Sequence, residues 1–279
     1  MKPDSPRMNL FIHVGLHKTG TTLLQQNVFP YFDPKAIQYI GRPCGSRHFI
    51  EEICWSSSPK VLVSSETFIG RLIDVYDPNE DYLLRQLSGI ERLASAFPAA
   101  NILIGVRSHA SWILSCYKHY LKYGGSRALH EFFRLDATGL MKPNEFLIYP
   151  KLQALDAGFK GRVWAYDLQT LVTNPVRVIR GLEHYLGARY KGSYDLVVVN
   201  EGVSNRQAEI LRRTNRILTQ AGAPTTKKPN LKLYSLIKKL VKGTSPPVAF
   251  PNTVAEDIRN HYHDDWEQTL KFVGQRTLD

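Results

Sequence analysis

Cysteine is scarce in this chain. Cys44, Cys54 and Cys116 are the only three among 279 residues. So sparse and odd a set excludes a disulfide framework, and a reducing compartment, the cytoplasm, is the simplest expectation. Long apolar runs are missing as well; none approaches the roughly 18–20 residues that span a bilayer. The opening stretch MKPDSPRMNLFIHVG carries no signal-peptide core. The expectation is a soluble protein, or a soluble fragment cut away from an anchor. There is no internal repeat and no low-complexity tract. With 43% hydrophobic and 22% charged residues, the composition is ordinary for a globular chain and excludes collagen-like and disordered classes.

Acidic residues are missing from one long stretch. Between Ile210 and Ala255 there is no Asp or Glu, whereas Arg212, Arg213, Arg216, Lys227, Lys228, Lys232, Lys238, Lys239 and Lys242 all lie there. The net charge is +11, so most of the excess sits in this one stretch. A segregated basic region suits an anionic partner, or it is a solvated face that aids solubility. It contains no RNP-like strand or other nucleic-acid module, so no nucleic-acid partner is expected. Leu233, Leu236, Ile237 and Leu240 form an apolar stripe over Lys232–Val241 that suits either a membrane surface or the protein core.

The first two thirds of the chain alternates strand and helix patterns. Asn9–Val14, Lys60–Ser64, Asn101–Val106 and Gly161–Tyr166 read as short buried strands. Thr21–Phe29, Asn79–Phe97, Ser108–Tyr123 and Pro175–Leu186 read as helices. Such alternation predicts βαβ units, a central parallel sheet flanked by helices, and ligands at the carboxyl ends of the strands. From about residue 188 onward the pattern is less regular, with helices over Asn205–Ala221 and from Asn252 to Val273. One domain over residues 1–279 with a decorated basic C-terminus is expected.

The first strand runs into Gly15-Leu16-His17-Lys18-Thr19-Gly20-Thr21-Thr22. A strand, a Gly-rich turn and a helix start make an anion cradle from backbone N–H groups. Gly15, Gly20 and Thr22 fit the Walker A pattern, but Thr21 stands where its lysine belongs and the lysine is at Lys18. The strand Asn101–Val106 ends in Arg107 rather than in an acid. A nucleotide kinase or NTPase is therefore the alternative reading, with a basic nucleic-acid-binding protein behind it.

This loop resembles the 5′-phosphosulfate loop of the sulfotransferases that use PAPS (3′-phosphoadenosine 5′-phosphosulfate). Arg107 and Ser115, eight residues apart and followed by Tyr117, are similar to that family's 3′-phosphate motif. A weaker likeness covers Val163–Leu168, Asn174-Pro175 and Leu186-Gly187. Together the matches cover roughly residues 9–187. The resemblance implies a three-layer P-loop-like α/β fold and PAPS as co-substrate, with no metal expected. It implies that Lys18, Thr19, Gly20, Thr21 and Thr22 hold the 5′ end while Arg107 and Ser115 hold the 3′-phosphate. Lys18 would neutralise charge on the leaving group. The acceptor implied is a glycan or other small molecule with a hydroxyl (or amine), which the basic stretch allows to be anionic.

Removal of the acceptor proton needs a base. Glu66, just past the strand Lys60–Ser64, is the first choice, and His17 within the loop is the alternative. His109 and His119 read as structural, and His13 as a core histidine. The Arg-Lys-Gly segment that closes over the nucleotide in the cytosolic branch has no clear copy here. Lys191-Gly192 or the Lys227–Lys242 stretch are candidates for that work, and Asn200 and Ser204 for nucleotide contacts. His261, Asp264 and Asp265 look metal-like at i, i+3, i+4, but without a third partner segment the set reads as a solvated helix face.

Overall fold

The computed structural model describes residues 9–41, 58–72, 76, 81–196, 203–220, 231–241 and 246–276. Five strands, β1 (Asn9–Val14), β2 (Gln38–Gly41), β3 (Lys60–Ser65), β4 (Asn101–Val106) and β5 (Val163–Asp167), form one sheet in the order β2-β3-β1-β4-β5. Every pairing is parallel. The helices are α1 (Thr21–Asn27), α2 (Tyr82–Ala96), α3 (His109–Lys122), α4 (Leu129–Phe132), α5 (Tyr149–Gly158), α6 (Leu168–Thr173) and α7 (Pro175–Leu186). They continue with α8 (Asn205–Gln220), α9 (Leu231–Leu240), α10 (Asn252–His261) and α11 (His263–Arg276).

The sheet divides the core by simple alternation. Leu10, Ile12 and Val14 of β1, with Val61, Val63, Ile102 and Ile104, face one layer, which Ile90, Ile113, Cys116, Leu152 and Leu155 complete. Phe11, Leu62, Leu103 and Trp164 face the other, with Leu24 from α1 and Ile179, Leu182 and Leu186 from α7. Successive side chains of a strand point to opposite faces, so a strand buried on both reads as a continuous apolar run. The result is the expected three-layer α/β arrangement. Because β3 and β4 flank β1 on opposite sides, the crevice beyond the carboxyl end of β1 is the switch point of the sheet.

Several expected boundaries move for identifiable reasons. Helix α2 starts at Tyr82 rather than Asn79, because the Asp81 side chain accepts from the Leu84 N–H at 3.1 Å and caps it. The expected last helix is two: it breaks at Tyr262, so His261 lies on α10 and Asp264 and Asp265 on α11. Strand β2 and helices α4 and α5 carry too few periodic residues to be read from the sequence. On α9, Ile237 is buried in the core while Leu236 is 52% exposed, so the stripe docks on the protein through Ile237. No helix among the described residues is long and apolar enough to cross a membrane.

Helix α2 braces the turn that follows β3. A Cβ at Gly89 would sit 2.8 Å from the backbone of Ile69. Gly89→Ala should therefore destabilise by about 1–2 kcal/mol, overpacking outweighing the gain in helix propensity. Urea denaturation checks this; a stabilised variant would show that the helix and the turn separate freely.

Candidate functional site

The loop after β1 is built by taking its carbonyls out of play. The Leu16 carbonyl accepts from Thr19, both from its hydroxyl at 2.5 Å and its N–H at 3.3 Å. The His17 carbonyl accepts from the Trp112 indole N–H at 2.8 Å. The Lys18 carbonyl accepts from the Arg107 guanidinium at 3.0 Å, and the Thr19 carbonyl from the Tyr166 hydroxyl at 3.3 Å. Four successive carbonyls are thus claimed from three elements. The N–H groups of Lys18 and Gly20 have no acceptor among the described residues. Lys18 adopts a left-handed φ of 69° and Gly20 one of 95°, which turns these N–H groups the other way. The Lys18 side chain is half-buried and makes no hydrogen bond to the described residues.

Thr21 and Thr22 open α1, whose first N–H groups have no partner within the helix. The Thr21 hydroxyl is buried without a hydrogen-bond partner, and a Cβ at Gly15 would overlap it. A buried hydroxyl without a partner is an exception that calls for a reason, and here it lies at the Gly-rich turn. Thr22 is exposed. Thr19 differs from its neighbours: both its donors are spent on Leu16, so it shapes the loop.

Glu66 lies where the sequence predicts, just beyond β3, and its Cβ is within van der Waals reach of Gly15. His17 stands beside it: Nδ1 is 3.6 Å from a Glu66 carboxylate oxygen. The other ring nitrogen, Nε2, donates to the Gly70 carbonyl at 2.9 Å. A carbonyl only accepts, so Nε2 carries hydrogen and Nδ1 is the atom that faces Glu66. His17 is 5% exposed, with one ring nitrogen committed to Gly70 and the other beside Glu66. Burial pushes the Glu66 carboxyl up. The His17 contact, with the positive charge of Lys18 close by, outweighs that and holds it below the ordinary carboxylate range.

His119 belongs to this neighbourhood, which its sequence position did not reveal. Its Nδ1 is 2.7 Å from the Tyr76 hydroxyl and its ring stacks on Tyr123 at 4.3 Å. Burial, reinforced by the charges of Lys18 and His17, pushes its imidazole down to about 3, so it is neutral at physiological pH. His13, by contrast, is a core residue bonded to the Ser64 hydroxyl at 2.7 Å, and burial lowers it to about 3.

Arg107 follows β4 as expected. Its Nε donates to Ser111 at 2.7 Å, so Ser111 rather than Ser115 braces it here. Ser115 lies further along α3, half-buried. The Ser204 oxygen accepts from the Gln207 N–H at 3.3 Å and caps α8. Lys191 pairs with Asp33 at 2.9 Å. Asn200, Lys227, Lys228 and Lys242 lie outside the described residues. The His261, Asp264 and Asp265 set is no single helix face, and Asp265 is not solvated: its side chain is 9% exposed and bonded to His109 at 2.9 Å. Among the described residues no group of three or more His, Cys, Asp or Glu stands where it could hold a metal ion.

No family model matches the chain, and no curated protein matches it. Among solved structures, it is similar to a sulfotransferase from Alicyclobacillus acidocaldarius. That similarity has 16% identity and a TM-score of 0.43, over 83% of this chain and 100% of the other. It is also similar to the mouse sulfotransferase SULT7A1 complexed with PAP, with 12% identity and a TM-score of 0.41, over 76% of this chain and 66% of the mouse chain.

Behind the loop, the Lys151 ammonium is fully buried against the Trp112 ring at 4.8 Å and donates to the Glu145 carbonyl at 2.8 Å. Burial pushes it down to about 7. The folded-state pKa is depressed, so the penalty of burying this charge is full below about pH 7. It fades as pH rises toward the ordinary lysine value near 10.4. The stability of wild type relative to Lys151→Met should therefore rise by ~4 kcal/mol between pH 6 and pH 10. Denaturant unfolding at several pH values tests this, and a constant difference would contradict it.

Proposed function

We propose that this protein is a PAPS-dependent sulfotransferase. It would move the sulfuryl group to a hydroxyl or amine of a small acceptor, a carbohydrate by resemblance, by in-line displacement. The observation that carries the reading is the loop at residues 15–22. The carbonyls of residues 16–19 are each bound, the N–H groups of Lys18 and Gly20 are unclaimed among the described residues, and the Lys18 ammonium makes no hydrogen bond there. A lysine inside the loop, with threonine at the Walker position, suits a reaction whose leaving group is neutralised by cationic side chains and backbone dipoles.

The residues present fit the nucleotide. Gly20, Thr21 and Thr22, with the orphaned Thr21 hydroxyl, would hold the 5′-phosphate. Arg107 and Ser115 would hold the 3′-phosphate, the guanidinium offering a planar fork. PAPS supplies the sulfuryl group and a phosphate leaving group. Lys18 stabilises the charge that appears on the leaving side. Glu66, a carboxylate at neutral pH, takes the acceptor proton. His17 holds Glu66 in place through Nδ1 and spends Nε2 on Gly70. The neutral His119 and the Tyr76 and Tyr123 rings form a wall next to Glu66, where an acceptor would sit. The basic C-terminal stretch suits an acceptor that is itself anionic.

The test is thermal stability with 3′,5′-ADP, the desulfated product, against 5′-ADP and AMP, each with and without Mg²⁺. A ligand at 100 times its Kd stabilises by about 2.7 kcal/mol. A large, metal-independent shift with 3′,5′-ADP is expected. A shift confined to 5′-ADP with Mg²⁺ would overturn the proposal in favour of a kinase. Glu66→Gln should keep the 3′,5′-ADP shift and lose sulfuryl transfer from labelled PAPS, whereas Lys18→Ala should cut transfer by several orders of magnitude.

A further inference from the structure

We propose that Asp265, on the last helix, acts through His109 as a positioning residue for Arg107. It would set the share of nucleotide affinity that comes from the 3′-phosphate. This rests on the role given to Arg107 above.

Arg107, His109 and Ser111 all belong to the strand-to-helix turn that starts α3. That helix has no side-chain cap of its own at Ser108. The turn is tied down from outside. His109 is 4% exposed, and its ring lies flat on Tyr262, with centroids 4.2 Å apart and planes 6° apart. Its Nε2 is 2.9 Å from Asp265 Oδ2. The same carboxylate accepts from the Ile148 N–H at 2.9 Å and the Tyr149 N–H at 3.1 Å, at the start of α5. The carboxylate accepts from all three, so His109 Nε2 is a donor.

One carboxylate on α11 thus fixes both the first turn of α3 and the start of α5, in a place shut off from water. Arg107 precedes His109 by two residues, and its guanidinium is aimed by Ser111 on the same turn and by the Lys18 carbonyl. A guanidinium fork recognises phosphate only in the right geometry. A displacement of about 1 Å in the shell that supports a binding group is enough to weaken it. Releasing His109 from Asp265 loosens the turn on which Arg107 stands, while the loop at residues 15–22, where the 5′ end would bind, keeps its ties to Thr19 and Tyr166, which lie outside that turn.

The experiment compares 3′,5′-ADP with 5′-AMP, which differ by the 3′-phosphate, by calorimetric titration of the full chain. The proteins are wild type, Asp265→Asn, His109→Phe and His109→Gln. His109→Phe keeps a flat ring for Tyr262 and removes only the donor, so it stays informative even if Asp265→Asn fails to fold. We expect the 3′,5′-ADP Kd to rise about 10-fold in Asp265→Asn and His109→Phe, the scale of one lost buried hydrogen bond. The 5′-AMP Kd should stay within about 2-fold, and His109→Gln, which retains an N–H donor, should recover part of the loss. An unchanged 3′,5′-ADP Kd in folded His109→Phe would overturn the inference. So would equal losses for both nucleotides, which would mark the tie as a general support of the fold. A wild type that does not distinguish the two nucleotides would remove the proposed function itself, and this inference with it.

Discussion

The site depends on one constraint: where the carbonyls of residues 16–19 go. A tight turn at the end of a buried strand has as many acceptors as donors, and an anion can use only the donors. Thr19, Trp112, Arg107 and Tyr166 each take a carbonyl from the loop. The turn then presents N–H groups and Lys18 to the crevice. Without those four partners the buried carbonyls would be unsatisfied, at roughly 1–3 kcal/mol each, and the loop would refold to bury fewer of them. Trp112 and Tyr166 come from opposite layers of the core, so the loop is stretched between the two halves of the fold.

The same constraint orders the electrostatics. Lys18 and Arg107 bring positive charge to the loop beyond β1, and Glu66 lies beside it. The His17 contact and the nearby Lys18 charge hold the Glu66 carboxyl low despite its burial, whereas burial keeps His119 neutral. A charged carboxylate and a neutral imidazole side by side are thereby fixed by their surroundings and not by residue type. Lys151 extends the pattern inward. Its buried ammonium lies on the ring of the tryptophan that anchors His17, so a charge that is unfavourable for stability supports the geometry of the loop.

Much of the fold was legible in the sequence. The apolar runs of β1, β3, β4 and β5 are continuous because those strands are covered on both faces, and the helices between them show clear periodicity. What was not legible follows from distance along the chain. Helix α5 has apolar residues around its whole circumference, so it has no stripe to recognise, and β2 is four residues long. The break at Tyr262 is invisible in a pattern that continues across it. The Gly-rich loop, Arg107 and Glu66 were readable because strand ends and glycine spacing mark them locally. Gly70, Ser111, His119 and Asp265 were not, since each acquires its role from a partner distant in sequence or from the packing around it.

The sequence by itself determined the parallel α/β architecture, the Gly-rich turn after β1 and the side chains at the carboxyl ends of the strands. These follow from short-range periodicity and from what glycine and threonine permit. Only the tertiary structure decided how those side chains are used. It set His17 beside Glu66 with Nε2 on the Gly70 carbonyl, and turned both Thr19 donors onto Leu16. It made a carboxylate near the C-terminus part of the wall behind Arg107. The reason is physical: the hydrogen-bond partners of a buried polar group are set by which elements pack against it, and that packing is a property of the whole chain.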